Sequence, residues 1–343
     1  MAEKKMAHTP GYDEYEDVDK ALEDMKKGWS QVGKTDKYST GFKILDEYLG
    51  GGYGSSTRGE VLLLHATAKT YKSTLAIQFL RAPIEQGEKI GLIILEGRLD
   101  GFLTELRKLY APVQYGKKIE GYERFDTLAP KLKDQIFVMS RKMLKNNFRM
   151  DEVIPWMKKA TVQHGVKLFL IDPIGYVPDF AEMSNIPDFK RESRLMKEIS
   201  DFAYDTNSTV ICIQHNVKDG DYLHPAHRQA AVGGSQSYTK SATKVIEIRN
   251  DGLINADQKN SGKYISLEMY MARGVSDWRG RPVILEIVPH PDGKGIVISM
   301  FKYEKNKGDA ILGDPNKKDD RWLWYGQIKK DGEKDLEDLV EDL

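Results

Sequence analysis

Two lysine-containing segments of this sequence have residues that could bind a phosphate group. The first matches the pattern GxxxxGK[ST] letter for letter, with Gly28, Gly33, Lys34 and Thr35. That chemistry also needs a buried strand before the loop and a helix beginning at the lysine, because the helix N-terminus and consecutive backbone N–H groups bind the phosphates. A charged amphipathic helix pattern precedes this match, and no helical pattern follows Thr35. We predict that the first segment does not bind phosphate.

The second segment, residues 66–73 (ATAKTYKS), lacks both glycines of the pattern but has its context, an apolar strand before it and an amphipathic helix after it. Lys72 is expected to reach the β- and γ-phosphates of a nucleotide, and Ser73 to bind Mg²⁺. Tyr71 replaces the second glycine, which is costly if the backbone needs a positive φ there. The alternative is a relic loop that binds nothing. The predicted nucleotide-binding residues of the loop are Ala66, Thr67, Ala68, Lys69, Thr70, Tyr71, Lys72, Ser73 and Thr74.

Three later segments place polar side chains at the ends of apolar strands. Asp172 ends KLFLID, where a carboxylate can bind Mg²⁺ beside Ser73. Glu96 follows IGLIIL, where a carboxylate can orient and deprotonate a water molecule that attacks a phosphate. Gln214 and His215 end VICIQH, where they can hydrogen-bond a γ-phosphate or sense it. Each has a structural alternative, because an aspartate at a strand end is often a turn former and a lone histidine is usually structural.

Alternating strand and helix patterns supply the elements that would position these side chains. Near-continuous apolar runs predict strands at 61–65, 90–95, 135–139, 167–172, 209–214, 244–249, 264–271, 282–288 and 295–301, and amphipathic periodicity predicts helices at 72–86, 99–110, 151–164 and 188–206. Such strands are typical of a parallel sheet covered on both faces, and the last three follow one another without helices. The prediction is an α/β fold with a central, mostly parallel sheet, helices on both faces and antiparallel strands at its C-terminal edge.

The amino-acid composition limits the classes of protein to which this sequence can belong. The 343 residues are 40% hydrophobic and 30% charged, which is typical of a globular chain with a sizeable core. Fifty-two basic residues balance 52 acidic ones, so any nucleic-acid contact must come from a local cluster. A single cysteine, Cys212, excludes an intramolecular disulfide framework and a cysteine-ligated zinc site. Without an apolar run of about 20 residues or a signal peptide, we expect a cytoplasmic protein with no membrane contact, in the host cytoplasm if it is viral.

The predicted organisation has three parts. Residues 1–37 contain a polar arm and a helix whose apolar stripe, around Leu22 and Met25, needs a surface on which to dock. That surface is either the same domain or a neighbouring subunit. Residues 38–305 form the α/β core. Residues 306–343 form an extension that ends in an acidic tail, with seven acids and one lysine from Asp331 to Leu343.

The loop at 66–73 and the strand-end residues after it resemble, in their order, the core of the RecA-type phosphate-loop ATPases. Residues 39–54, with a Thr-Gly and a Leu-Asp pair before a glycine-rich turn, look like the segment that precedes the loop in that superfamily. Within it, the sequence is most similar to the ring-shaped replicative DNA helicases, the DnaB-like group and especially its phage and mitochondrial Twinkle-type members. Residues 194–218, 231–251 and 263–280 carry that likeness.

The resemblance implies an ATPase that uses ATP, or another NTP or dNTP, together with Mg²⁺. It also implies a homo-oligomer, a hexamer in the ring helicases, that binds single-stranded DNA and meets other replication proteins, here through the acidic tail. Arg273 matches the arginine that such proteins insert into the neighbouring subunit's site, so Lys72, Glu96, His215 and Arg273 are the implied catalytic residues. Met271 replaces the lysine that usually accompanies the arginine, and Arg279 or Arg281 could take the place of Arg273.

Cations near a glycine- and serine-rich stretch predict where DNA binds, because phosphate contacts dominate affinity and free backbone N–H groups can follow a strand. The predicted DNA-binding residues are Lys218, Arg228, Gly233, Gly234, Ser235, Lys240 and Lys244. An ordinary solvated loop is the structural alternative.

Three functions therefore remain open. The first is a ring-forming NTP-dependent helicase of DNA replication. The second is a recombinase-like ATPase that forms filaments on DNA for strand exchange, which the loop ATAKTYKS and the acidic tail favour. The third is a non-catalytic accessory protein that has kept the fold.

Overall fold

The computed structural model describes residues 37–54, 59–67, 70–109, 123–140, 150–176, 188–216, 241–249, 264–272, 283–289 and 296–300. The helices are α1 (Lys43–Tyr48), α2 (Lys72–Glu85), α3 (Leu99–Lys108), α4 (Glu123–Gln135), α5 (Met150–His164) and α6 (Asp188–Thr206), with a short 3₁₀ turn at Ile174–Tyr176. The strands are β1 (Glu60–Ala66), β2 (Ile90–Ile94), β3 (Ile136–Ser140), β4 (Leu168–Asp172), β5 (Thr209–His215), β6 (Lys244–Arg249), β7 (Tyr264–Ala272), β8 (Val283–Pro289) and β9 (Ile296–Met300).

The nine described strands form one sheet in the order β3-β2-β4-β5-β1-β6-β7-β8-β9. Strands β1 to β6 run parallel, and β6 to β9 pair antiparallel. The predicted mostly parallel sheet with an antiparallel C-terminal edge is confirmed.

Helices cover the sheet on both faces because its strands carry apolar side chains on both faces. On one face Leu62 and Leu64 of β1 pack with residues of α2, α3 and α4. On the other face Val61 and Leu63 pack with residues of α5 and α6. Burial of each such side chain contributes about 1.5–3 kcal/mol relative to leaving it exposed, so the strands at the centre of the sheet are firmly fixed. The ends of these strands can therefore hold polar groups in defined positions.

Helix α4 was missed by the sequence analysis, for a physical reason. It has Pro130 in its interior, a residue that normally ends a helix. Only a narrow stripe of it is buried, with Phe125 and Leu132 in the core. Such a segment lacks the wide apolar face on which a prediction depends, and packing against the sheet stabilises it instead.

The segment before β1 is fixed by one carboxylate. Asp46 of α1 accepts hydrogen bonds from the hydroxyl groups of Ser39 and Thr40, both at 2.6 Å, and from the Thr40 backbone N–H at 2.7 Å. The Tyr53 hydroxyl then donates to the Phe79 carbonyl at 2.6 Å, which attaches the segment to the middle of α2. This segment therefore supports the helix that begins at Lys72. No helix in the described part of the chain is long and apolar enough to span a bilayer.

Candidate active site

The carboxyl ends of four neighbouring parallel strands, β2, β4, β5 and β1, meet at one edge of the sheet. Register places Ile94 beside Asp172 and Ala66 beside His215. The fold therefore brings together the predicted site residues, although they are far apart in sequence. These are Glu96, Asp172, Gln214, His215 and the loop before Lys72. In open α/β sheets this edge is where ligands bind.

The loop after β1 encloses the Lys72 ammonium group. Helix α2 begins at Lys72, as predicted, and the buried Nζ donates to the carbonyls of Ala66 (3.2 Å) and Thr67 (2.5 Å). The Thr70 hydroxyl donates to the Thr67 carbonyl at 2.7 Å and tightens the loop. Helix N-termini stabilise anions, so a lysine at the start of α2 can help to bind a phosphate chain. Ala68 and Lys69 lie outside the described residues.

Tyr71 has the backbone conformation that a glycine normally supplies. Its φ is 62° and its ψ is 22°, in the left-handed region. The ring is half-buried and packs against the core cluster under α2. The cost of this conformation for a residue with a Cβ is of the order of 1–2 kcal/mol, and the packing of the ring offsets it. Tyr71 therefore takes the conformation expected of the glycine that it replaces, directly before α2.

Asp172 and Ser73 form the part of the site that could hold Mg²⁺. The Asp172 carboxylate is hydrogen-bonded to the Ser73 side chain. The pKa of Asp172 is raised to about 6, mainly by burial and also by the Glu96 charge, against the opposing effects of the Ser73 hydrogen bond and the Lys72 charge. A hydroxyl and a carboxylate are hard oxygen donors, and Mg²⁺ in nucleotide sites takes one or two protein oxygens and completes its shell with phosphates and waters. The oxygens of Ser73 and Asp172 fit a Mg²⁺ ion of this kind. The described residues contain no group of three or more His, Cys, Asp or Glu that could bind a metal by themselves.

Glu96 and His215 face each other on either side of Asp172. The His215 Nε2 is 3.6 Å from the Glu96 Oε2, and both side chains are partly exposed. Burial lowers the pKa of His215 and the Lys72 charge lowers it further, against the opposing effect of Glu96. Because the histidine is then neutral near pH 7, it can donate one hydrogen bond and accept another.

Gln214 is buried next to the backbone of the turn that follows Asp172. A Cβ on Gly175 would lie 2.8 Å from the Gln214 Oε1, so any larger residue at this position would make the amide shift. The turn after β4 and the end of β5 are thus in direct contact beside the site.

His65 is a residue that the sequence analysis missed. It is fully buried in β1, next to the loop, and burial lowers its pKa to about 4. Its Nδ1 lies 2.8 Å from the Asn216 Oδ1, and the Asn216 Nδ2 donates to the Glu247 Oε1 at 3.5 Å. A histidine at the end of the apolar run VLLLH was the available signal, but nothing in the sequence indicates its partners.

The predicted DNA contact of Lys244 needs correction. Lys244 begins β6, its side chain is 1% exposed, and its Nζ is paired with the Glu60 carboxylate. It is also next to Leu62 in the register, near the start of β1 and away from the edge that holds Lys72. The structure therefore uses this lysine as an internal ion pair. The other predicted DNA-binding residues, Lys218, Arg228, Gly233, Gly234, Ser235 and Lys240, lie outside the described residues, as do Arg273 and the first lysine-containing segment around Lys34.

No protein-family model matches the sequence, and no curated protein matches it. A solved structure described as an ATPase domain superposes with a TM-score of 0.66 at 12% identity, covering 84% of this chain and 100% of that one. The chain has the RecA-type ATPase fold. A second neighbour, a DnaB-like replicative helicase solved with its interactions with primase, has a TM-score of 0.65 at 12% identity, covering 83% of this chain and 69% of that one.

The RecA-type fold gives the strand-end cluster its context. Both neighbours share the fold that brings Lys72, Asp172 and Glu96 to one edge of the sheet; one is described as an ATPase domain and the other as a DnaB-like replicative helicase. The fold resemblance predicted from the sequence is confirmed. The roles of the individual residues remain predictions.

Proposed function

We propose that the protein hydrolyses ATP, or another nucleoside triphosphate, with Mg²⁺, and uses the hydrolysis to move along single-stranded DNA as a helicase of the replicative type. The observation that supports this most directly is the meeting of Lys72, the Ser73–Asp172 pair and the Glu96–His215 pair at one sheet edge. These groups supply, in one place, a cation, hard oxygen donors and a base.

Each group has a role in the proposed hydrolysis. Lys72 and the N–H groups at the start of α2 bind the β- and γ-phosphates and stabilise the charge that develops on them. Ser73 and Asp172 would hold Mg²⁺, which neutralises phosphate charge. Glu96 accepts a proton from a water molecule while the oxygen of that water attacks the γ-phosphorus. The bond between the γ-phosphorus and the bridging oxygen breaks, and the nucleoside diphosphate leaves. His215 donates a hydrogen bond to the phosphate or to Glu96.

The proposal includes an oligomer, a hexameric ring. In this assembly Arg273 of one subunit completes the site of the next and stabilises the transferring phosphoryl group. A mixing experiment tests it, because an Arg273→Ala and a Lys72→Ala protein, each inactive, should regain partial turnover when co-assembled. If co-assembled oligomers stay at background, Arg273 is not the arginine concerned, and Arg279 and Arg281 are next.

The proposed DNA contacts are the cations Lys218, Arg228 and Lys240, with the glycines and serine between them. Replacing Lys218 and Lys240 with alanine should flatten the salt dependence of single-strand binding by about one unit of slope for each lost phosphate contact. Lys244→Ala is the matched control. It should lower the free energy of unfolding, since it leaves Glu60 without its buried cation, and leave the salt slope unchanged.

The decisive experiment compares two lysines. Phosphate release is measured with Mg²⁺, with and without single-stranded DNA, for the wild type, Lys72→Ala and Lys34→Ala. We expect Lys72→Ala to abolish turnover, because a charge-assisted contact to the transferring phosphate is lost, at a cost of several kcal/mol in the barrier. Lys34→Ala should keep nearly full turnover. The opposite pattern, or a wild type without turnover, would overturn the proposal.

A second candidate is a filament-forming ATPase that exchanges DNA strands. The aromatic Tyr71 in place of the glycine, held with a positive φ, favours it, because the loop resembles that of phage recombinases. Electron microscopy with nucleotide and single-stranded DNA separates the two, since the helicase forms closed rings and the recombinase forms helical filaments.

A further inference from the structure

Asn216 occupies a position that the hydrolysis mechanism leaves unexplained. It follows His215 directly, and three groups hold it. Its backbone N–H donates to the Ala66 carbonyl at 2.8 Å, its Oδ1 lies 2.8 Å from the His65 Nδ1, and its Nδ2 donates to the Glu247 Oε1 at 3.5 Å. These contacts join β5 to β1 and to β6, the two strands on the far side of the site from Glu96.

The directions of these hydrogen bonds are fixed by chemistry. Glu247 accepts, so the Asn216 amide nitrogen faces it and the amide oxygen faces His65. Because an amide oxygen can only accept, His65 donates from Nδ1 to the Asn216 Oδ1. The chain of hydrogen bonds runs from His65 through Asn216 to Glu247. Both His65 and Glu247 are almost completely buried. Replacing the Asn216 amide removes the N–H group that donates to Glu247. A buried polar group that loses its hydrogen-bond partner in this way destabilises the structure.

The Ala66 carbonyl connects this chain to the phosphate loop. It accepts the Asn216 N–H and also the Lys72 ammonium, at 3.2 Å. The peptide between His215 and Asn216 is therefore fixed relative to the carbonyl that holds Lys72. Lys72 keeps a second, shorter contact to the Thr67 carbonyl, so its own position does not depend on Asn216.

We infer that Asn216 is a positioning residue for hydrolysis, with His65 and Glu247 as its supports. It sets the distance between His215 and Lys72, and so aligns the γ-phosphate with the attacking water held by Glu96. The inference rests on the proposed function. It predicts that disturbing Asn216 lowers kcat while KM for ATP changes little, because binding relies on the loop and alignment relies on the end of β5.

Reversing the hydrogen bond between Asn216 and Glu247 tests the inference. Asn216→Asp keeps the acceptor for His65 but places a second carboxylate against Glu247, and like charges at a buried site repel. Turnover should fall at least about tenfold with KM within about threefold. Glu247→Gln alone keeps an acceptor and should be nearly neutral. The double variant Asn216→Asp with Glu247→Gln lets the new amide donate to the new carboxylate and should return kcat to within about threefold of the wild type.

Controls make each outcome informative. Cys212→Ala, buried in the same strand on the same face as Gln214, reports the effect of a mild core change, and melting temperatures are recorded for every variant. If Asn216→Asp does not fold, Asn216→Ala should show the same loss of kcat without rescue by Glu247→Gln. Unchanged turnover in Asn216→Asp, or a parallel change of kcat and KM without rescue in the double variant, overturns the inference. A wild type without turnover removes the proposed function itself, and the inference with it.

Discussion

The Nε2 of His215, at the end of β5, lies 3.6 Å from the Oε2 of Glu96, which follows β2. Strand β4 separates their two strands in the sheet, and Asp172 ends that strand between them. The backbone N–H groups of Leu95 and Glu96 donate to the Asp172 carbonyl at 2.9 and 3.3 Å, which holds the Glu96 segment across the end of β4. The side chains of Glu96, Asp172 and His215 are thus in one row at the edge of the sheet.

Glu96→Gln tests whether Glu96 is the base, as proposed above. The amide keeps the shape and the hydrogen bonding of the side chain but cannot accept a proton, so turnover should fall by roughly 10²–10⁴ while nucleotide affinity survives. Fluorescent-nucleotide binding and phosphate release, measured on the same preparation, provide the two numbers. Equal losses in binding and turnover would make Glu96 a structural residue.

His65 predicts a pH dependence of stability. Its folded pKa, about 4, is below the unfolded value of 6.5. The unfolded state therefore binds more protons between these values, so stability is present above pH 6.5 and is lost as the pH falls through the folded pKa. Between pH 7 and pH 5 the loss from this residue is about 2 kcal/mol. The free energy of unfolding, measured with urea at several pH values, should fall less steeply with pH in His65→Phe than in the wild type, since phenylalanine cannot ionise. Equal dependence on pH in the two proteins would contradict the assignment to His65.

Tyr71 predicts a reversal of the usual ranking of glycine and alanine. Tyr71→Ala and Tyr71→Gly both lose the packing of the ring, but only alanine keeps a Cβ at φ 62°. Tyr71→Gly should therefore be more stable than Tyr71→Ala by about 1 kcal/mol. At Lys158, exposed within α5, the order should be the opposite by about 1 kcal/mol. Chemical denaturation of the four variants decides it, and the same ranking at both positions would show that Tyr71 is unstrained.

Gly175→Ala displaces Gln214 without changing it. The new Cβ would meet the Gln214 Oε1 at 2.8 Å, so the amide must move. If Gln214 contacts the γ-phosphate, kcat should fall about tenfold with little change in the melting temperature, because a flexible side-chain end can yield at small cost. Gly101→Ala in α3, where a Cβ would meet nothing within 4 Å, is the control and should leave turnover unchanged. A Gly175→Ala protein with wild-type kcat would remove Gln214 from the site.

The strands and the position of the loop could be predicted from the sequence because their signals are local. Apolar runs gave all nine described strands, and the helix pattern placed the start of α2 at Lys72. The resemblance of the loop and strand-end residues gave the fold, which the solved neighbours confirm. The loop with Tyr71 has the expected strand before it and the expected helix after it. Which of the two lysine-containing segments binds phosphate stays a prediction.

Only the tertiary structure decided which polar groups are neighbours. Lys244 was predicted from the sequence to bind DNA, yet it is buried against Glu60, a residue 184 positions away. His65, Asn216 and Glu247 form one chain because β1 lies between β5 and β6, an order of strands that follows from packing and not from any local pattern. The sequence by itself determined which segments become strands and where their polar ends fall. The order of the strands in the sheet decided which of those ends meet, because hydrogen bonds and ion pairs depend on distances that only the folded sheet establishes.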